Sequence, residues 1–342
     1  MVTIKDVARD AGVSVGTVSN VLNGGRVSEA RRKLVEASIE KLGYQVNTLA
    51  KGMRMQKTDY VVVILPNLIN PYFALLLDDL ESELSAVGKQ VLLCLSGDDA
   101  EREVAFMDMA KQNKVDGIIG VTYSKVEEER IENMAFVSID RHYKSHIPCV
   151  AGDNWQGGWL AAENLHKRGS TNLLCFMTMS SVDSEVRKRR VGFTEYCMEH
   201  DLSCNSVEMS EKQIVSVYES YGSRKLIHNM LRAYISPSLG EHSIDGIFTS
   251  SDHLATIVRE ELEEMGKQVP EDIQIIGYDG LQFLNQGKPI VSSIAQPVHE
   301  IAKEAVRCLN ELIANGKTEG NTKIPVSFQE GPTTKTLVTE EK

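Results

Sequence analysis

The run Val15-Gly16-Thr17-Val18-Ser19-Asn20 combines hydroxyls and an amide that can bond base edges or phosphates with two leading residues that offer only methyl contact or close backbone approach. Reaction chemistry has no comparable run. There is no G-x-x-x-x-G-K-[ST] phosphate cradle, no G-x-G-x-x-G after a strand and no G-x-S-x-G elbow. The eight histidines do not cluster as ligands or triad partners, and the six cysteines lack C-x-x-C spacing, which suits idle thiols in a reducing cytoplasm. Gly157-Gly158 suits helix packing better than phosphate binding. No catalytic residue, metal ligand or cofactor is expected, and an enzyme reading lacks a constellation.

The elements that must position residues 15–20 are short helices. Thr3-Ile4-Lys5-Asp6 has the form of a capping box, with Ile4, Val7 and Ala8 at helical spacing and Gly12 as the stop. Ser14 can cap a second helix, Val15–Leu22, which Asn23-Gly24-Gly25 breaks. Ser28-Glu29 opens a third, whose Leu34, Val35, Ser38, Ile39 and Leu42 are expected to close a miniature core. Two helices about a small-residue corner have the helix-turn-helix arrangement, in which the second helix enters the major groove N-terminus first; by spacing alone a small helical cap on an enzyme is the alternative.

The whole chain has 342 residues, more than one hydrophobic core usually holds, and a net charge of −11. That charge is unevenly placed. Residues 1–57 carry ten basic and five acidic side chains, a net of +5, and the remainder is −16, so a polyanion is expected to bind at the head alone. The longest aliphatic run, Val61–Leu65, is too short to span a membrane, and the N-terminus predicts no secretory signal, so a cytoplasmic location is expected. From Tyr60 onward strands alternate with helices. Strands are predicted at Val61–Leu65, Gln90–Leu95, Gly117–Val121, Phe136–Ile139, Leu173–Met177, Gly246–Thr249 and Gln274–Gly277, with helices near 72–87 and 100–113. Such alternation implies parallel sheets covered by helices, with ligands at the carboxyl ends of the strands.

The segments Ile4-Lys5-Asp6-Val7-Ala8, Ala11-Gly12-Val13-Ser14, Thr17-Val18-Ser19, Val21-Leu22-Asn23, Leu42-Gly43-Tyr44 and Asn47-x-x-Ala50 closely resemble the headpiece of the lac/gal-repressor family of bacterial transcription regulators. The likeness continues through Asn70-Pro71-Tyr72-Phe73, Asp140-Arg141, Asp153-Asn154-x-x-Gly157, Arg189-x-x-Gly192-Phe193, Ser251-Asp252, Gly277-Tyr278-Asp279 and Gln296-Pro297. It implies an N-terminal all-α helix-turn-helix headpiece (1–46), a hinge helix and linker (47–58) and an α/β periplasmic-binding-protein-like body of two parallel-sheet subdomains (59–342). The N-subdomain would take about 60–167 and 293–325, and the C-subdomain about 168–292 and 326–337. Contacts to double-stranded operator DNA are then expected from Thr3, Ser14, Val15, Gly16, Thr17, Ser19, Asn20, Asn23, Asn47, Lys51, Met53 and Arg54. Met53 stands where a leucine usually wedges into the minor groove, and Lys51, Arg54 and Lys57 can contact phosphates. Asn20 replaces a common arginine or histidine. Asparagine matches adenine where arginine matches guanine, which predicts a shifted operator preference.

By the same resemblance a small-molecule effector is lined by Tyr72, Phe73, Asp140, Arg141, Asn154, Arg189, Ser251, Asp252, Asp279 and Gln296. Carboxylates, amides and arginine pair with vicinal hydroxyls, and an aromatic face covers the apolar side of a sugar ring. Asn154 and Asp252 suit turn and cap roles as well as ligand contact, and Trp159 suits the core. Ser251 replaces a common asparagine, and Gln329–Thr334 replaces the usual C-terminal pattern. The implied protein is a homodimeric repressor on a palindromic operator, controlled by a sugar. A phosphorylated sugar, nucleoside or partner protein is the alternative effector, and a sugar-binding transport protein or sugar-active enzyme fits less well. No membrane partner is expected.

Overall fold

The computed structural model describes residues 2–44, 58–97, 99–124, 131, 134–143, 147–179, 182, 184–210, 213, 224–235, 243–282 and 287–337. The expected hinge, with Asn47, Lys51, Met53, Arg54 and Lys57, lies outside these residues. The chain divides into two compact units at residues 58 and 59.

The first unit is helical: α1 (Ile4–Asp10), α2 (Val15–Leu22) and α3 (Glu29–Leu42). The first start is set by Asp6, whose Oδ2 accepts the Thr3 amide at 2.9 Å. The second is set by Ser14, whose Oγ accepts the Thr17 amide at 3.1 Å. Gly43, at a left-handed φ of 61°, ends α3. Val7, Ala8, Ala11, Val18, Val21 and Val35 fill the core. Leu34 does not join them. It is 54% exposed, because it lies outside the stripe of α3 that carries Val35, Ser38, Ile39 and Leu42. Ser38 is buried and donates to Asp10 Oδ2 at 2.9 Å, while Lys41 reaches Asp10 Oδ1 at 2.7 Å, tying α3 to the end of α1.

The second unit holds two six-stranded sheets. The first contains β1 (Tyr60–Leu65), β2 (Gln90–Leu95), β3 (Gly117–Gly120), β4 (Phe136–Ile139), β5 (Cys149–Gly152) and β11 (Thr322–Ile324), in the order β11-β5-β4-β3-β1-β2 and parallel throughout. Side-chain alternation in β1 sends Val61, Val63 and Leu65 into one core and Val62 and Ile64 into another. Helices α4 (Pro71–Ala86) and α10 (Val298–Asn315) cover the former face, and α5 (Ala100–Gln112) the latter.

The second sheet contains β6 (Asn172–Met179), β7 (Ser203–Ser210), β8 (Gly246–Thr249), β9 (Gln274–Asp279), β10 (Ser292–Ala295) and β12 (Ser327–Gln329), ordered β12-β10-β9-β8-β6-β7. Only β12 runs antiparallel to its neighbour. Helices α6 (Asn154–Lys167) and α7 (Arg187–Glu199) pack on one face, and α8 (Arg224–Ile235) and α9 (Asp252–Glu264) on the other. The departing C-terminal stretch is sewn to this sheet. Thr333 accepts the Ser292 amide at 2.8 Å and donates to the Ile275 carbonyl at 2.7 Å, and Arg168 pairs with Glu330 at 3.0 Å.

The chain passes between sheets near Asp153, Gln296 and Pro325. The first passage precedes the expected boundary at 167. Ala161, Ala162 and Leu165 of α6 bury against Leu173 and Cys175 of the second sheet, so α6 belongs there. For the same reason Ser293–Ala295 fall in the second sheet and not in the first subdomain.

Candidate functional site

In the second unit the carboxyl ends of the strands gather a group of buried polar side chains where the sequence predicts the cleft. Asp140 follows β4, Tyr72 lies in the first turn of α4 after β1, Asn154 opens α6 after β5, Asp279 ends β9, and Gln296 follows β10. Asp140 and Asp279 hold positive φ angles of 60° and 113°, backbone conformations that turn their side chains out of the strand direction and that aspartate accepts more readily than branched residues.

Arg189, in the first turn of α7, is 5% exposed and stands at the centre. Its Nε donates to Asn154 Oδ1 at 2.6 Å, Nη1 donates to the Ser250 carbonyl at 2.7 Å, and its guanidinium lies 3.5 Å above the Tyr278 ring. Asn154 Nδ2 donates in turn to Asp140 Oδ1 at 3.3 Å and to the Gly152 carbonyl at 2.9 Å, and Gln296 Nε2 donates to Asp279 Oδ1 at 2.8 Å. Burial pushes the Asp140 carboxyl up to about 6 and the Asp279 carboxyl up to about 7, each against the pull of Arg189. Tyr72 is raised by burial and by both carboxylates. Among the described residues, Tyr72 Oη, Asp279 Oδ2 and Gln296 Oε1 are buried with no hydrogen-bond partner. A buried polar atom left unpaired costs about 1–3 kcal/mol, and a hydroxyl or amine group placed among these three atoms would offset that cost.

The other expected cleft residues are engaged within the fold. Arg141 Nη1 donates to the Ser124 carbonyl at 2.6 Å and its guanidinium lies 4.4 Å from the Tyr143 ring. Phe73 packs in the first sheet's core, edge-on to Tyr72. Ser251 Oγ caps α9 by accepting the Leu254 amide at 3.1 Å. Asp252 accepts the Leu281 amide at 2.7 Å and the Ser293 hydroxyl at 2.5 Å. Tyr278, the platform under Arg189, is absent from the expected site. It sits inside the quoted Gly277-Tyr278-Asp279, but strand alternation alone does not tell a core tyrosine from a cleft one.

Two helices bring Arg189 to Asn154. A Cβ on Gly158 of α6 would collide with the Arg189 carbonyl, and one on Gly192 of α7 would collide with the Trp155 carbonyl, so the helices cross backbone to backbone. Gly157 supports the Tyr278 ring, where a Cβ would lie 2.7 Å from its hydroxyl. Beside the cleft, Glu185 is 1% exposed and pairs with His142, Lys188 and, at 3.7 Å, Lys323.

On the first unit Thr3, Ser14, Val15, Gly16, Asn20 and Asn23 are exposed, and Thr17 and Ser19 are half-buried. Ser14 and Thr17 hydroxyls lie 2.9 Å apart, and Asn23 Nδ2 donates to Ser19 Oγ at 3.3 Å. A Cβ on Gly16 would meet only Ser14 Oγ at 3.7 Å, so the unit's own packing does not require glycine there.

Comparison with known proteins matches residues 3–47 to the model of bacterial regulatory proteins of the lacI family and residues 162–334 to a periplasmic binding protein-like domain. The chain is 32% identical to the sucrose operon repressor of Pediococcus pentosaceus over 96% of its own length and 98% of that protein. A periplasmic binding protein/LacI transcriptional regulator from Alkaliphilus metalliredigens, solved in complex with D-xylulofuranose, is 26% identical, with a TM-score of 0.69 over 81% of this chain and all of that one. The lac repressor dimer bound to operator and an anti-inducer shares the fold, with a TM-score of 0.78 at 21% identity over 97% and 98% of the two chains.

Proposed function

As the chain belongs to the lacI family of bacterial regulatory proteins, whose relatives are operon repressors and not enzymes, we propose that it represses transcription as a homodimer on a palindromic operator and is controlled by a neutral sugar. The observation that carries the effector class is the set of unpaired buried atoms, Tyr72 Oη, Asp279 Oδ2 and Gln296 Oε1, around an arginine laid on a tyrosine ring. A donor-and-acceptor ligand of several hydroxyls satisfies all three.

The charge balance argues against a phosphorylated ligand. Arg189 is the one guanidinium aimed into the cleft among the described site residues, and it already serves Asn154 and the Ser250 carbonyl between two carboxyl groups. A phosphate there would meet Asp140 and Asp279. The neighbouring Arg141 is turned away to Ser124.

On the headpiece, Val15, Gly16 and Asn20 form the base-reading face, with Ser14, Thr17 and Ser19 available to phosphates once the Ser14–Thr17 and Asn23–Ser19 bonds exchange. The hinge residues Asn47, Lys51, Met53 and Arg54 complete this reading from the sequence. By linkage, the sugar and the operator alter each other's affinity by one common factor.

Operator anisotropy titrations across a sugar panel, on the full-length protein, test the proposal. A single sugar that shifts operator affinity at least tenfold supports it, with Asp279→Ala abolishing the shift while operator affinity alone is kept. A flat response to every neutral sugar, with a response to a sugar phosphate, overturns the effector class.

A further inference from the structure

Strand alternation divides β6 into two faces. Leu174 and Phe176 face α8 and α9, whereas Leu173, Cys175 and Met177 face the layer of α6 and α7. The parallel register sets Cys204 of β7 beside Leu173, and Cys204 packs into that same layer. Cys197, near the end of α7, is buried there at 1% exposure. The turn between them is tight, with the Leu202 amide donating to the Cys197 carbonyl at 2.9 Å. The fold thus sets the two thiols in one side-chain layer on either side of this turn, one buried and one half-buried at an edge strand, with neither in a disulfide.

We propose that Cys197 and Cys204 are a redox-active pair that closes into a reversible intramolecular disulfide when the protein meets hydrogen peroxide. Cys204, the more accessible of the two, reacts first. Its thiolate attacks one peroxide oxygen, the O–O bond breaks, and the hydroxide that leaves takes up a proton as water, giving a sulfenic acid. The Cys197 sulfur then loses its proton and attacks the Cys204 sulfur, the S–O bond breaks, and a second water departs. The two sulfurs give up two electrons in all, and one peroxide becomes two waters.

The electrostatics agree with that order. The neighbouring Cys197 thiol holds the Cys204 thiol below the ordinary range, while Cys204, together with burial, raises Cys197. Cys175, fully buried in the same layer, is raised by desolvation and is the unreactive neighbour. The bond would fasten the last turn of α7, the helix whose first turn carries Arg189, to the outermost strand of the second sheet.

Thiol mapping of the reduced full-length protein after peroxide exposure, alkylation and peptide mass spectrometry tests this. The expected result is a linked pair of peptides bearing Cys197 and Cys204, with alkylation of both lost together and recovered with dithiothreitol. Cys204→Ser removes the link, and Cys175→Ser leaves it. Cys204 found as a sulfinic acid with Cys197 still alkylated, a link through Cys175, or a link between two copies overturns the proposal. The wild-type map decides it even where a serine variant fails to fold.

Discussion

Arg189 and Asn154 meet at 2.6 Å because the helices that carry them touch at two glycines, Gly158 and Gly192. The guanidinium is therefore positioned by backbone contact one turn away as much as by its own partners. Gly192→Ala is expected to force α6 and α7 apart, costing roughly 2–3 kcal/mol as an overpacked interior does. Effector affinity should fall along with the midpoint of thermal unfolding, read by calorimetry and by denaturation. Unchanged effector affinity in a folded variant would remove the crossing from the list of devices that place Arg189.

Asp279 and Asp140 are raised acids, so the linkage has a definite sign. Their contribution to stability is present in full below the unfolded carboxylate range near 3.8 and is lost as pH rises through about 6 to 7. Asp279→Asn keeps an oxygen to accept from Gln296 and never acquires the buried charge. The unliganded variant should be more stable than the parent at pH 8, by on the order of 1–3 kcal/mol, with the gap closing toward pH 4. Urea titrations at the two pH values measure it, and a gap that widens on acidification would refute the assignment.

Glu185 behaves in the opposite sense. Although burial opposes it, bonds from Lys188 and His142 hold its carboxyl below the usual range. Its contribution is present above about 4.5 and lost as pH falls through its lower folded value. Since Lys323 of the first sheet and Lys188 of α7 share this one carboxylate, Glu185→Gln should weaken the union of the two subdomains by roughly 2 kcal/mol at pH 7. Hydrogen exchange at residues 140–142 should quicken in the same variant, and identical exchange there would count against the clasp.

Asn20 projects from the exposed face of α2. Replacing it with arginine should move the preferred base at its operator position from adenine to guanine, a discrimination of about 1–3 kcal/mol. Selection from a randomised operator library reads this directly. The same preferred base for parent and variant would show that Asn20 does not read that position.

The β/α alternation was legible because β1, β3, β4, β6, β8 and β9 are apolar and largely buried, as in Val61–Leu65, while β2 is an apolar run although Cys94 is its one buried residue. The strands that escaped notice are short or carry weak patterns. In β7, Ser203–Ser210, only Met209 is fully buried, since an edge strand needs little apolar surface. Leu34 shows the converse, an apolar residue at plausible spacing that faces solvent. For the cleft, the resemblance implied a set of ten residues and marked Asn154 and Asp252 as suited to turn and cap roles as well, but it did not say which carboxylate the fold consumes. Only the register of β9 and β10 shows Asp252 bonded to Ser293 and Leu281 while Asp279 keeps an oxygen unpaired.

The threefold passage of the chain between the sheets has a consequence for synthesis. The first sheet lacks its edge strand β11 and the buried face of α10 until residues 298–324 have been made, although its strand β1 begins at Tyr60. The helical unit at the N-terminus has its own core and needs none of this. On the ribosome, then, a folded DNA-binding unit emerges long before the second unit can close, and a chain interrupted before residue 298 would carry the first without the effector control proposed for the second.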